Sequence, residues 1–401
     1  MTQTRTVATQ SPRKPKRTIS KPVVPSTGQT PVISYFTGGG FLDLGFLSHG
    51  FKVVWRNENN PAFADAYEHG MAALLGQKDE HVIKNRSSIL SIPCKQVLKE
   101  AFHNTGKPQT FGVIGGPPCS DFANGGKHKG GKGQNGMLTK VFVDHILEIQ
   151  PSFFLLENVK GLFQIHRPFL NRLIAKLNIR YDTSLKLLDA LDYGVPQSRE
   201  RMFLVGFEKR WLKNSLAIDE DLNGNGMWFP WRRKNHRDAK NAYAWPGQDP
   251  FGGSPEKPAG IPEKLMVGTW ICDPQLDVTT LPNGLDQFVA KSTKFHRINE
   301  GDDSRKSFKR LHRWRYSPTA AYGKNEVHLH PIHPRRLSVR EVMRIQTIPD
   351  EYVLPEKMSL SHKFRLVSNG VPVKLAEAVA ASFVKVVDEH SLKLPEKHQR
   401  K

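Results

Sequence analysis

The chain has 401 residues, of which 38% are hydrophobic, and a formal net charge of +21. This composition is typical of a globular protein with a sizeable core and excludes a disordered or low-complexity chain. No apolar run approaches the roughly 20 residues that span a bilayer, and the amino terminus lacks a signal-peptide core, so we expect a cytoplasmic protein. The three cysteines have neither paired nor CxxC spacing, which argues against a disulfide framework and against a zinc site.

The excess of positive charge indicates a polyanionic partner, because each Lys or Arg that neutralises a phosphate releases counterions. Nucleic acid is the first partner to expect. Residues 1–30 contain basic side chains among many Ser, Thr and Pro but no acidic residue, as in a disordered basic tail. Residues 389–401 form a second, shorter basic tail.

From Pro31 onward, short apolar runs alternate with longer amphipathic stretches. Strands that are apolar throughout are typical of a parallel sheet covered on both faces, so the pattern predicts a doubly wound α/β fold. Ser338 is predicted to cap a late helix. The other predicted elements are strands at 32–36, 111–116, 152–159 and 202–207, and helices at 61–75, 138–149 and 373–387.

A glycine-rich stretch, "FTGGGFLDLGF" at 36–46, follows the first predicted strand. Glycines there let the backbone approach a ligand at the carboxyl end of a strand, although a turn without a ligand would also explain them. About twenty residues further on, Glu58 follows the second strand, where a carboxylate can accept both hydroxyls of a ribose. An ordinary solvent-facing glutamate is the alternative.

The stretch "GVIGGPPCSDF" places Cys119 just beyond another predicted strand. Pro117 and Pro118 restrict the loop, as suits a nucleophile that must be held in place. A thiol has an ordinary pKa of about 8.5, so a reactive Cys119 requires positive charge nearby. A small, inert, buried cysteine is the alternative.

Glu157 lies at the end of a buried apolar run, where a carboxylate is costly unless it is paired or used. Gln197, Arg199 and Arg201 alternate along an extended segment, so their side chains could converge on one anion or one base edge. We expect the thiol, the carboxylate and the two guanidinium groups at the same edge of the sheet.

Five ordered segments resemble the motif series of the DNA (cytosine-5)-methyltransferase family of the prokaryotic restriction-modification type. They are "GGPPCS", "LLENVKGL", "DYGVPQSRERMFLVGF", "RRLSVREVMRIQTIPDEY" and "SNGVP". The resemblance implies a Rossmann-like, S-adenosylmethionine-dependent catalytic domain over 31–207 and 335–388. It further implies a smaller target-recognition domain over 208–334.

The resemblance also implies a mechanism in which the target cytosine is flipped out of the DNA duplex. In that mechanism the Cys119 thiolate attacks C6 while Glu157 protonates or hydrogen-bonds N3. Arg199 and Arg201 would bind the base and favour the thiolate. A base, which could be water, then removes the C5 proton.

Cofactor contacts implied by the resemblance are Phe36, Thr37, Gly38, Gly40, Glu58, Asn59, Ile89, Pro118, Leu138, Asn369 and Val371. The chain departs from the family pattern at Phe41, where a glycine is usual, and at Ser88, where an aspartate is frequent. Ser120 replaces a common glutamine. The first two departures concern cofactor contacts.

The implied target-recognition domain offers aromatic and basic candidates for contacts with phosphates and base edges, namely Trp228, Trp231, Arg232, Arg233, Arg313 and Arg315. The expected partner is double-stranded DNA, bound by a monomer, and a restriction endonuclease for the same site is a further expectation. Two alternatives stay open: a tRNA cytosine-5 methyltransferase and a catalytically inactive DNA-binding homologue.

Overall fold

A computed structural model describes residues 29–76, 82–118, 133–216, 228–289, 293–305, 307–319, 322 and 327–393. Cys119 and Ser120 lie outside the described residues, as do 1–28 and 394–401. Within the described part of the chain, no helix is long and apolar enough to cross a membrane.

A seven-stranded sheet in the order β3-β2-β1-β4-β5-β7-β6 forms the centre of the fold. Its strands are β1 (Thr30–Tyr35), β2 (Phe51–Asn57), β3 (Ile83–Asn85), β4 (Gly112–Gly115), β5 (Phe153–Val159), β6 (Tyr181–Asp189) and β7 (Glu200–Glu208). The buried apolar runs that predict strands at 32–36, 111–116 and 152–159 correspond to β1, β4 and β5. The mixed α/β fold with a Rossmann-like sheet is therefore confirmed.

β7 is an exception to the parallel sheet that the apolar strands indicate. β1 to β5 pair in parallel, whereas β7 pairs antiparallel with both β5 and β6. Residues 190–199 between β6 and β7 form a single 3₁₀ turn and a loop, too little chain for a crossover helix. Neighbouring strands joined by so short a connection run antiparallel.

Helices cover both faces of the sheet. The helices of the described residues are α1 (Phe41–Leu47), α2 (Pro61–Leu75), α3 (Cys94–Ala101), α4 (Gln134–Ile149), α5 (Lys160–Gln164), α6 (Arg167–Leu177), α7 (Lys209–Leu216), α8 (Ala239–Ala242), α9 (Gly268–Ile271), α10 (Val339–Ile345), α11 (Leu360–Asn369) and α12 (Val373–Lys393). α1 and α12 pack on one face around Phe153 and Phe383, and α3, α4 and α6 pack on the other around Phe154. α12 thus returns the carboxyl-terminal part of the chain to the first helix.

The start of α10 is the predicted one. Ser338 accepts a hydrogen bond from the Glu341 amide, and the Glu341 carboxylate accepts one from the Ser338 amide. This reciprocal pair is a capping box, and it satisfies two amides that a helix start leaves open.

Short elements dominate the segment between α7 and α10. It contains α8, α9 and the two-stranded pair β8 (Lys309–Arg310) and β9 (His328–Leu329). Two small clusters form in this segment, one around Leu265 and Tyr316 and another around Phe295, while Val267, Trp270 and Leu311 join the large core around α10. The lack of hydrophobic periodicity in this region reflects that architecture.

Candidate active site

The carboxyl ends of β1, β2, β4 and β5 meet at one edge of the sheet, where open α/β sheets bind ligands. β7 begins at this same edge because it runs antiparallel to β5. The predicted glycine loop, Glu58, Pro117, Glu157 and Arg201 are therefore brought to one edge of the sheet.

The glycine loop at 36–40 turns sharply after β1. The Thr37 amide donates to the Asn57 carbonyl (3.1 Å), and the Gly40 amide donates to the Thr37 carbonyl (2.8 Å). Gly40 has a φ of 74°, and a Cβ there would lie 2.4 Å from the Tyr67 ring. Glycine is required at that position both for the backbone conformation and for the space.

Glu58 ties the glycine loop to the end of β2. One carboxylate oxygen accepts the Gly38 amide (2.9 Å) and the other accepts the Asn60 amide (2.8 Å). Burial raises the pKa of Glu58, and these amide bonds oppose the shift. Each carboxylate oxygen can accept more than one hydrogen bond, so the group can hold the loop and still receive ligand hydroxyls.

Unused polar groups surround this loop. Thr37 Oγ1 is buried and has no hydrogen-bond partner among the described residues. The side chains of Asn59 and Asn369 are exposed, and the Phe36 ring is half-buried, 5.9 Å from the Phe142 ring centroid. Buried polar atoms normally have partners, so the arrangement suits a ligand with an aromatic ring and hydroxyl groups.

The other predicted cofactor residues lie in turns and helices near this edge. Ile89 is buried in a short 3₁₀ turn, Leu138 is half-buried on α4, and Val371 is buried after α11. Ser88 begins the 3₁₀ turn, and its hydroxyl accepts the Leu90 amide (3.3 Å). The residue that replaces a frequent aspartate therefore has a local capping role.

Glu157 is a buried carboxylate on β5 that pairs with an arginine of β7. Its Oε1 lies 3.2 Å from Arg201 Nε, across the antiparallel pairing of the two strands. Burial raises the pKa of Glu157, while Arg201 and, more weakly, Arg199 oppose that rise. A carboxyl group with a raised pKa is suited to hold and donate a proton.

The chain that leads to Cys119 runs directly beside Glu157. A Cβ on Gly116 would lie 2.8 Å from Glu157 Oε2, so a side chain there would displace the carboxylate. Asn158 Nδ2 donates to the Pro117 carbonyl (3.2 Å) and holds the first proline of the loop. The described part of the "GGPPCS" segment is thus fixed against the carboxylate.

Gln197, Arg199 and Arg201 contact three different parts of the chain. Gln197 Nε2 donates to the Tyr322 hydroxyl (3.1 Å). Arg199 is buried, and its Nη2 donates to the carbonyls of Ser368 and Gly370, the latter at 3.1 Å. Arg201 lies at ion-pair distance from Glu157. Alternation along a strand does not reveal these separate partners, and convergence on one anion or base edge stays a prediction.

The six predicted DNA contacts fall into three structural situations. Trp228 and Trp231 pack on the core beside β6, and their indole N–H groups donate to Thr183 and Ser184. Arg313 makes a multiply hydrogen-bonded ion pair with buried Glu300.

Arg315 lies 3.6 Å from Asp303, and Arg232 and Arg233 are exposed. Arg232 and Arg233 are consequently the basic candidates most accessible to phosphate. Contacts with DNA stay a prediction for all six residues.

Tyr352 is a site residue that the sequence analysis misses. It is fully buried, and its hydroxyl lies within hydrogen-bond distance of the Gly39 carbonyl (2.8 Å) and the Ala66 carbonyl (3.1 Å). Tyr352 therefore links the glycine loop to α2. Tyr352 belongs to the segment "RRLSVREVMRIQTIPDEY", which resembles the family motif, but the resemblance does not indicate this contact.

Comparisons with known proteins identify the family. The sequence profile of the family described as C-5 cytosine-specific DNA methylase matches residues 30–385. The type II methyltransferase M.NmeDI of Neisseria meningitidis serogroup C is 39% identical over 90% of this chain and 85% of its own length. M.MthTI of Methanothermobacter thermautotrophicus, another type II methyltransferase, is 29% identical over 88% of this chain and 97% of its own.

Among solved structures, a prophage-encoded candidate DNA modification methyltransferase from E. coli superimposes with a TM-score of 0.62 at 21% identity. The match covers 90% of this chain and all of that one, and it supports the fold alone. The chain belongs to the C-5 cytosine-specific DNA methylase family and is a DNA (cytosine-5)-methyltransferase of the type II restriction-modification kind.

Proposed function

We propose that the enzyme transfers a methyl group from S-adenosylmethionine to C5 of a cytosine flipped out of a specific double-stranded DNA sequence. The transfer proceeds through a covalent bond between Cys119 and C6 of the base. The observation that carries this proposal is the buried Glu157–Arg201 pair, against which the chain leading to Cys119 is fixed.

Glu157 has the chemistry that the attack on C6 requires. A thiolate adds to C6 only if the developing negative charge on the ring is neutralised, and a proton or hydrogen bond at N3 does this. The raised pKa of Glu157 favours the protonated carboxyl that can donate there. Arg201 Nε, at 3.2 Å, fixes the orientation of the carboxyl group.

The two arginines have different parts in this proposal. Arg201 contacts Glu157 and supplies positive charge at the base site, which also favours the Cys119 thiolate. Arg199 holds the segment after α11 through the Ser368 and Gly370 carbonyls. We therefore propose that Arg201 binds the base and that Arg199 positions the loop that carries Asn369.

S-adenosylmethionine supplies the electrophilic methyl group. In our proposal Glu58 accepts the ribose hydroxyls, and the Phe36 ring packs against the adenine. Thr37, Gly38, Gly40, Asn59, Ile89, Pro118, Leu138, Asn369 and Val371 complete the cofactor site. Support comes from the Thr37 hydroxyl, which is buried without a partner among the described residues, and from the further lone pairs of the Glu58 carboxylate.

Target recognition is proposed for residues 208–334, with 31–207 and 335–388 as the catalytic domain. Loop 196–199 connects the two, because the Ser198 amide donates to the Ser317 carbonyl (3.0 Å) and the Ser317 amide to the Pro196 carbonyl (2.8 Å). A recognition segment joined to the base site in this way can align a bound duplex with Glu157. We propose that the enzyme acts as a monomer, with a partner endonuclease for the same site.

Methyl incorporation tests the substrate. The protein is incubated with labelled S-adenosylmethionine and either mixed-sequence duplex DNA or tRNA. We expect label in DNA, and label in tRNA alone would contradict the proposal in favour of an RNA enzyme.

Covalent trapping tests the mechanism. With S-adenosylmethionine present, duplex DNA in which 5-fluorocytosine replaces cytosine traps the adduct. After methyl transfer C5 carries fluorine instead of the proton whose removal would re-form the C5–C6 double bond and release the Cys119 thiolate. We expect a denaturation-resistant protein–DNA adduct that Cys119→Ser abolishes. A protein that binds DNA and cofactor but gives no adduct would be the inactive homologue.

A further inference from the structure

The departure at Phe41 has a defined place in the structure. Its ring is buried at the start of α1, directly after the glycine loop. It makes an edge contact with the Tyr352 ring at a centroid distance of 5.4 Å. The Tyr352 hydroxyl in turn lies 2.8 Å from the Gly39 carbonyl oxygen. Both aromatic rings therefore contact the same loop.

Two glycines accommodate the Phe41 ring. A Cβ on Gly370 would lie 2.3 Å from Phe41 Cδ2, and its nearest neighbours all belong to that ring. A Cβ on Gly39 would lie 2.8 Å from Phe41 Cζ, again with ring atoms as its nearest neighbours. Gly370 has a φ of −69°, which any residue adopts, so the ring alone makes an alanine there unfavourable.

These two glycines belong to the two segments that meet at the proposed cofactor site. Gly39 is in the loop that Glu58 ties down, and Gly370 lies between Asn369 and Val371. The Gly370 carbonyl also accepts a hydrogen bond from Arg199 (3.1 Å). The Phe41 ring therefore fills the space between the two segments and sets their separation.

We infer that Phe41 is a positioning residue for S-adenosylmethionine, which acts by holding the 36–40 loop and the 369–371 segment at the spacing the cofactor needs. The inference rests on the proposed cofactor. It explains how the chain keeps a cofactor site with a phenylalanine where the family usually has glycine: glycines at 39 and 370 provide the room.

A double-mutant cycle between Phe41 and Gly370 tests this inference. The dissociation constant for S-adenosylmethionine is measured by calorimetry for the wild type, Gly370→Ala, Phe41→Gly and the double variant. Inserting a methyl group into a filled space is unfavourable, so Gly370→Ala should weaken binding at least about tenfold, or about 1.4 kcal/mol. In the Phe41→Gly background the same change should alter binding less than about twofold, because the ring it collides with is gone.

Gly247→Ala is the matched control, since a Cβ at Gly247 meets no atom of the described residues within 4 Å. It should leave the dissociation constant and the melting temperature unchanged. At saturating cofactor, Gly370→Ala should keep kcat within about threefold of the wild type while its KM for the cofactor rises. A purely structural defect would instead lower the active fraction and kcat.

Independent, multiplying effects of the two substitutions would overturn the inference, as would wild-type affinity in Gly370→Ala. If Phe41→Gly does not fold, Phe41→Leu replaces it in the cycle, with the same expectation of a smaller Gly370→Ala effect. A wild-type protein that fails to bind S-adenosylmethionine would contradict the proposed cofactor, which is a different result from an unaltered Gly370→Ala variant.

Discussion

At the scale of single residues, Glu157 shows how burial and an ion-pair partner act in opposite directions on the pKa of a carboxyl group. A buried carboxylate is costly, and the cost appears as a raised pKa that Arg201 only partly offsets. The sequence predicts a carboxylate here that is buried and paired or used, because a glutamate at the end of an apolar strand is unusual, and the structure shows the burial and the pairing with Arg201. The separate contacts of Arg199 and Arg201 could not be predicted, since the partners of Arg199 at 368 and 370 are remote in sequence.

Glu157→Gln should separate binding from catalysis. The amide side chain keeps a hydrogen-bond donor of the same shape but cannot transfer a proton, so we expect methylation to fall by roughly 10²- to 10⁴-fold. DNA and cofactor affinities should stay within a few-fold of the wild type. Steady-state rates measure the loss of methylation, and binding curves measure the affinities for DNA and cofactor. Glu200→Gln, at a half-exposed position beside Lys160, is the control. A loss below tenfold would exclude proton transfer by Glu157 and leave it only the role of a hydrogen-bond donor to N3.

At the scale of the elements, α1 and α10 are each fixed by buried charged side chains. In α1, Asp43 accepts hydrogen bonds from Ser34 Oγ (2.7 Å) and the Tyr67 hydroxyl (3.0 Å). In α10, the Arg340 guanidinium donates to the carbonyls of Pro282 (2.8 Å) and Tyr352 (2.9 Å). The periodicity of hydrophobic residues predicts where such helices lie, but it does not predict the polar contacts that orient them.

Asp43→Asn should remove a loss of folding stability that the wild type undergoes as the pH rises towards neutral. Burial raises the pKa of Asp43 from 3.8 to about 6, so ionisation between those values costs folded-state stability. Two pKa units correspond to about 3 kcal/mol, an upper bound for the gain. The stability of the variant relative to wild type should therefore rise from pH 4 to pH 7 in denaturant titrations. A difference that is constant across this range would contradict the raised pKa.

Arg340→Lys should lower the melting temperature by several degrees. An ammonium group cannot reach the separate carbonyls that the guanidinium contacts, and each lost hydrogen bond to a charged donor costs about 1.5–3 kcal/mol. Differential scanning fluorimetry measures the change, with the exposed Arg233→Lys as control. Equal melting temperatures for the two variants would show that α10 does not depend on this contact.

At the scale of the whole molecule, the α/β fold class and the sheet edge that carries the candidate residues follow from features that a sequence displays well. Apolar strands and the Pro61–Leu75 helix agree with the structure in place and type. The direction of β7 was not predictable from its apolar run, because that run reads the same in a parallel or an antiparallel strand. The Phe41 contact with Gly370 was equally hidden, since it joins the first helix of the fold to the segment after α11.

Bisulfite sequencing of DNA from cells that express the protein tests the central claim most directly. We predict unconverted cytosine at one position of a short, fixed sequence throughout the genome, and none of this protection with Cys119→Ser. Fully converted DNA from cells that contain folded, wild-type protein would contradict the assignment of a sequence-specific cytosine-5 methyltransferase.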